Sequence, residues 1–172
     1  KKAVEFLKKE YSKNSRNLFS AFIERAIELL KARGKLGFIS SDTFMCIGSF
    51  KNIREHILEN TEIVEMISLG NNIFEGPTVS AVLHIYIKNK KNLNNIVVSY
   101  DFEKSCKNNV DAISINEWKE KVSISKKYLV TQKNFKVIQG SPFIYNISEK
   151  IRHIFFEFDI LGGDAGIAEV KQ

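Results

Sequence analysis

Apolar positions recur at helical spacing between residues 17 and 32. Leu18, Phe22, Ala26 and Leu29 fall at i, i+4, i+8 and i+11, with Phe19, Ile23, Ile27 and Leu30 beside them. So wide an apolar stripe predicts an amphipathic helix. Asn17 is placed to cap its first turn and Gly34 to close its end in a left-handed conformation. Residues 3–11 carry a weaker helical pattern, with Val4, Phe6, Leu7 and Tyr11 on one side.

Residues 35–40 follow at once, and Leu36-Gly37-Phe38-Ile39 is short and unbroken in its apolarity, which suits a strand covered on both faces. Residues 41–49 read as a connecting loop. A second helix is predicted over 50–59, with Phe50, Ile53, Ile57 and Leu58 inward and Asn60 as its stop, and a second strand over 62–69. Helix, strand, helix, strand with short turns predicts a parallel, right-handed crossover unit. Residues 79–88 form a third, β-branched strand, yet nine residues separate it from Leu69. A parallel return needs a dozen residues or more, so this strand must run antiparallel to its predecessor. Farther on the pattern is weaker. It supports a strand over 95–100, a short helix over 115–121, a loop over 129–135 and an amphipathic helix over 146–156 with Ile147, Ile151, Ile154 and Phe155 inward. Gly162-Gly163-Asp164-Ala165-Gly166 reads as a flexible end.

The chain has 172 residues, 44% of them hydrophobic, enough for one domain with a sizeable core and too many for a disordered one. No apolar run reaches the roughly 18 residues of a membrane-spanning helix, and nothing behind Lys1-Lys2 resembles a secretory leader. Cys46 and Cys106 are two separated thiols without a CxxC pair or a histidine cluster; reduced cysteines, a cytoplasmic setting and no metal are expected. Lys1 stands where a whole chain would begin with methionine, so a piece of a longer polypeptide is expected. The net charge of +6 is unevenly placed: residues 88–136 carry eleven lysines against five acids. A basic segment of this kind attracts a polyphosphate backbone. A solvated lysine-rich surface explains it as well.

The familiar catalytic signatures are missing. Gly34-x-x-Gly37 follows a helix and opens a strand, the reverse of a dinucleotide fingerprint, and the closing glycines lack the Lys-Ser/Thr of a phosphate loop. His56, His84 and His153 have no partners in sequence and read as ordinary packed or exposed side chains. Ser40, Ser41 and Asp42 end a predicted parallel strand, where ligands gather in open α/β sheets, although a capping loop accounts for them equally well. Phe74 lies in Gly70-Asn71-Asn72-Ile73-Phe74-Glu75-Gly76-Pro77, a loop whose composition suits an aromatic presented to a ligand or one folded back on the domain.

Several of these runs share an order and spacing with one family. Asn17-Leu18-Phe19-x-x-Phe22-Ile23-Glu24-x-Ala26-x-x-Leu29-Leu30-x-x-x-Gly34-x-Leu36-Gly37-Phe38-Ile39 resembles the middle of adenine-specific DNA methyltransferases that modify the exocyclic amine. Ile53-Arg54-Glu55 and Ile73-Phe74 before Val79-Ser80-Ala81-Val82 continue the resemblance. Gln139-Gly140-Ser141-Pro142-Phe143-Ile144-Tyr145 and Ser148-Glu149-Lys150-Ile151-Arg152 are similar to the large methyltransferase of BREX phage-defence systems. Restriction–modification fusion enzymes share the first half.

The resemblance implies an α/β fold, the C-terminal half of a class I (Rossmann-like) methyltransferase sheet: parallel strands ending in an antiparallel one, plus an α+β extension. It divides the chain into residues 1–90 of the catalytic domain, a lysine-rich extension over 91–138, and a helix and linker over 139–172 leading to a target-recognition region. It implies S-adenosylmethionine as the cofactor of the whole enzyme and double-stranded DNA as its partner, with other defence-system subunits. Asn17, Leu18 and Phe22 then match positions around the cofactor, and Phe74 matches the aromatic that stacks on an everted target base. Lys126 and Lys127 become candidate contacts to the DNA backbone. The glycine loop and the Asn-Pro-Pro-Tyr tetrapeptide are absent, so no catalytic residue is expected in this piece. Ser41, where many relatives have proline, and Phe19, for a frequent tyrosine, depart from the family. A non-catalytic DNA-binding or protein-interaction module is the alternative, and methyl transfer to RNA or protein a further one. The open sheet edge predicts self-association of the isolated chain.

Overall fold

The computed structural model describes residues 2–15, 17–71, 79–89, 92–101 and 115–157. Helices α1 (Lys2–Glu10) and α2 (Leu18–Leu29) lead into strand β1 (Lys35–Ser41). The segment predicted as a plain loop carries a short helix, α3 (Thr43–Cys46), and a 3-10 turn (Gly48–Phe50) before helix α4 (Lys51–Asn60). Strands β2 (Thr61–Gly70), β3 (Ala81–Lys88) and β4 (Ile96–Asp101) follow, then helix α5 (Ile115–Ile124), strand β5 (Lys126–Thr131), a second 3-10 turn (Gln132–Lys136) and helix α6 (Glu149–Glu157).

The strands form one sheet in the order β1-β3-β2-β4-β5. β3 pairs antiparallel with both β1 and β2. β1 and β2 therefore run in the same direction, as the crossover predicted, but they are not neighbours: the returning strand lies between them. The nine-residue argument for its reversed direction holds. β4 extends the sheet parallel to β2, and β5 closes it antiparallel to β4. The loop predicted over 129–135 is thus replaced by β5 and a 3-10 turn, because pairing with β4 overrides a weak local pattern in which Leu129 faces outward.

One face of the sheet is covered by α2 and α4. Ile23 and Ile27 of α2, and Ile53, Ile57 and Leu58 of α4, pack on Ile63, Met66, Val82 and Tyr86. Phe135 and Phe143 join the same core, with Phe44 against Phe143 at 6.0 Å between ring centroids. The apolar stripe of α2 is split: Ile23 and Ile27 point inward, whereas Leu18 and Phe22 are 54% and 56% exposed. In α6 the predicted facing is inverted. Ile151, Ile154 and Phe155 are half exposed, and Arg152 is buried, donating to the carbonyls of Asn134 and Ile144. Periodicity shows which positions share a face; it does not say which face turns inward.

The turn after α2 also differs from expectation. Arg33, not Gly34, takes the left-handed conformation, with φ of 62°. Gly34 is required for a different reason: a Cβ there would come within 2.9 Å of the Lys31 carbonyl oxygen. At the amino edge of the sheet the Glu62 carboxylate accepts hydrogen bonds from Asn92, Asn89 and Arg33. These bonds, that from Asn92 foremost, hold its carboxyl below the usual range. Such a group adds stability above its unfolded pKa and loses it as pH falls through the folded one. Glu62→Gln should therefore cost about 1 to 2 kcal/mol at neutral pH, with the difference from the parent shrinking in acid, as measured by urea titration at both pH values.

Candidate functional site

Because β1, β2 and β4 run the same way, their carboxyl ends share one edge of the sheet, where open α/β folds place their ligands. Ser40 and Ser41 end β1, Ser68 and Gly70 end β2, and Asp101 ends β4. The Ser41 hydroxyl bonds that of Thr43 at 3.0 Å, and the Asp42 amide donates to the Ser80 carbonyl, so the loop after β1 is tied to the entry of β3. Behind this edge His84 is fully buried, its Nε2 3.1 Å from the Ser40 hydroxyl. Its ring lies against Phe38 at 5.6 Å and Phe44 at 5.3 Å. Burial drives its pKa down to about 3, so it is a neutral packed side chain, as its lack of sequence partners suggested.

Arg54 braces the same region. It is 1% exposed and donates to the carbonyls of Phe44, Ile47 and Gly140. One guanidinium therefore joins the segment after β1 to a turn that lies 86 residues beyond Arg54 itself. The Phe143 amide adds a bond to the Met45 carbonyl. This return segment delivers Tyr145 to the carboxyl edge of β2. Its phenol, pushed up to about 12 by burial and then by Asp101, stays protonated at neutral pH.

Of the residues singled out in the sequence, Asn17, Leu18 and Phe22 come together at the start of α2. Asn17 occupies the cap position, but its side chain makes no capping hydrogen bond; the Ser20 hydroxyl bonds the Asn17 carbonyl instead. Leu18 and Phe22 line an apolar hollow of about 180 Å³ with Phe6, Leu7 and Tyr11 from the α1 side. Lys126 and Lys127 are both exposed on β5, but alternation along a strand sends them to opposite faces of the sheet. Lys127 borders a second, larger hollow of about 670 Å³, walled by Ile67, Leu83, Ile85, Tyr100 and Val122, with Glu65 among them. Phe74, Cys106 and the closing glycines lie outside the described residues. Among the described residues no three His, Cys, Asp or Glu side chains are placed to hold a metal ion, and no helix is long and apolar enough to cross a membrane.

Sequence reasoning missed Tyr128 and Tyr145. Reading 129–135 as a loop hid the alternation that puts Lys126 and Tyr128 on one face, and no pattern foretold that Tyr145 folds back to Ser68.

Residues 1–74 match the model of the Eco57I restriction-modification methylase family. The adenine-specific methyltransferase PglX of Lacticaseibacillus casei (strain Zhang) is 28% identical over 157 residues, covering 87% of this chain and 13% of its own. The adenine-specific methyltransferase BrxX of Escherichia coli O9:H4 (strain HS) is 27% identical over 92% of this chain and 13% of its own. The chain resembles adenine-specific methyltransferases of restriction–modification and BREX systems. It spans about an eighth of the length of these two curated relatives. A type I restriction-modification methyltransferase subunit from Streptococcus thermophilus superposes with a TM-score of 0.59 at 20% identity, over 83% of this chain and 34% of that one. At that identity the superposition speaks for the fold alone.

Proposed function

We propose that the chain is the C-terminal half of the catalytic domain of an adenine-specific DNA methyltransferase serving a phage-defence or restriction–modification system. The observation that carries this is the β1-β3-β2 order, in which β1 and β2 lie within the residues that match the methylase family model and β3 follows them. Double-stranded DNA is the substrate, and S-adenosylmethionine supplies a methyl group activated on a sulfonium. The protein works in the cytoplasm, with other defence subunits as partners of the whole enzyme.

The apolar hollow at the start of α2 suits the purine end of that cofactor. Leu18 and Phe22 offer half-exposed apolar walls, and Asn17 offers a polar side chain that does not cap its own helix. These residues bind and orient; the Asn-Pro-Pro-Tyr run that would accept from the target amine does not occur in this sequence. Phe74, four residues beyond the end of β2 in sequence, is the candidate to stack on the everted adenine. Eversion costs a few kcal/mol and stacking on an aromatic recovers about 1 to 3 kcal/mol.

The chain alone should be inactive. Incubation with cofactor carrying a labelled methyl group and adenine-containing duplex DNA is expected to leave the DNA unlabelled, and appreciable incorporation would overturn this assignment. For the intact gene product the expected result is protection of host DNA from methylation-sensitive digestion at adenine-containing sites. Label appearing in RNA or protein instead would move the substrate to another class.

A further inference from the structure

The carboxyl edge described above does not stop at β2. Asp101 at the end of β4 stands opposite Lys126 at the start of β5, and Ser99 stands opposite Tyr128. Lys126 and Tyr128 are two residues apart in one strand and share a face. The Lys126 ammonium sits 5.1 Å from the centre of the Tyr128 ring. That ring also lies against Tyr145, with centroids 5.4 Å apart and planes at 56°. Tyr145 belongs to the return segment tied to the Met45 carbonyl through the Phe143 amide, and Ser68 at the end of β2 has Asp101 as its ladder partner. An exposed lysine, a half-buried aromatic ring and a second ring in contact with it thus form a row beside the end of β4.

We infer that Lys126 and Tyr128 form a second nucleic-acid contact, in which the Tyr128 ring takes the base or sugar of a nucleotide flanking the everted adenine while Lys126 swings from the ring to a neighbouring phosphate. This rests on the reading of the parent protein as a DNA-modifying enzyme. Basic side chains interleaved with aromatic rings are the means by which proteins hold single-stranded or unstacked nucleotides. From β2 to β5 is two strand spacings, roughly 10 Å, which corresponds to about three nucleotide steps along a DNA strand. Tyr128 therefore lies about three nucleotides along the strand from a base everted at the end of β2, and it is a base at that distance on the flanking strand that its ring can take.

The exchange is favourable in direction, because stacking of a base on an aromatic outweighs an exposed lysine–ring contact. Contact with Tyr145 restricts the movement of the ring. The Asp101 carboxylate disfavours a phosphate at the ladder itself, so the phosphate must lie farther out, at the reach of the lysine stem. Lys127 has the same charge one residue away and faces the opposite side of the sheet, beside Glu65. It belongs to a different surface.

The test is the affinity of this chain for a fluorescein-labelled duplex carrying one adenine opposite an abasic position, measured by anisotropy over a salt series. Tyr128→Leu should weaken binding roughly tenfold with the salt slope retained, and Tyr128→Phe should restore it to within about twofold. Lys126→Gln should reduce the salt slope by about one, and Lys127→Gln should leave it at the parental value. Circular dichroism and thermal midpoints of the four variants identify any that fail to fold, and Lys126→Gln, at an exposed position, remains informative whatever becomes of Tyr128. Equal slopes for the two lysine variants, parental affinity in Tyr128→Leu, or no binding by the parent chain would each overturn the inference. None of these bears on methyl transfer, which stands or falls on the digestion of host DNA.

Discussion

Replacing Arg54 by alanine should destabilise the chain by about 3 to 5 kcal/mol, the largest effect of any single substitution considered. The side chain is almost wholly buried and its donors serve three carbonyls, those of Phe44, Ile47 and Gly140. Alanine leaves all three without a partner in a region water does not reach, at about 1 to 3 kcal/mol for each that stays unpaired, and it opens a hollow besides. For a protein of this size each kcal/mol corresponds to roughly 2 to 4 °C in thermal midpoint, so a fall of about 10 °C or more is expected by calorimetry. Arg54→Lys should recover only part of it, because a point charge with three donors cannot span two chain segments as a planar fork does. If alanine costs less than about 1 kcal/mol, the return segment is held by Phe143 and Phe135 alone.

Acid should unfold the chain sooner than its carboxylates alone would require, and His84 should be the reason. Its ring is enclosed by Phe38, Phe44 and Tyr86, and its Nδ1 has no hydrogen-bond partner. The folded pKa, about 3, lies below the ordinary value of 6.5, so protons bind the unfolded chain more readily. The stability this provides is complete above pH 6.5 and is lost as pH falls from there toward 3, at up to about 1.4 kcal/mol per unit. The sign is the reverse of that for a histidine beside a carboxylate. His84→Phe keeps a ring among the aromatics and removes the titration. The difference in urea-unfolding free energy between parent and variant should therefore fall steadily between pH 6.5 and 4, and a flat difference would show that the ring finds a hydrogen-bond partner when charged.

These two residues illustrate where the sequence spoke and where it was silent. The helices on the covered face and the reversed direction of β3 followed from apolar spacing and from a count of nine residues, because local geometry and chain length leave little choice. Arg54 and Arg152 entered only as members of the runs that carry the resemblance, and nothing in the helical pattern marked them as buried. Their burial is caused by carbonyls supplied from segments far away in sequence, which no window of residues can reveal. The exposed Leu18 and Phe22 were visible as apolar positions but not as an uncovered surface. Lys126 and Lys127 looked like a pair until pairing with β4 set the strand that separates them. Phe74 rests on resemblance alone.

The position of β3 has a consequence for how the molecule comes into being. β1 is made early, yet its hydrogen-bonded neighbour is a strand completed only at Lys88, some fifty residues later. Until then its backbone groups can be satisfied only by water, while β2 waits beside a gap one strand wide. A nascent chain released before Ala81 would therefore hold two strands pointing the same way with nothing to bridge them; β3 joins them by insertion, and only β4 and β5 are then added by growth at one edge.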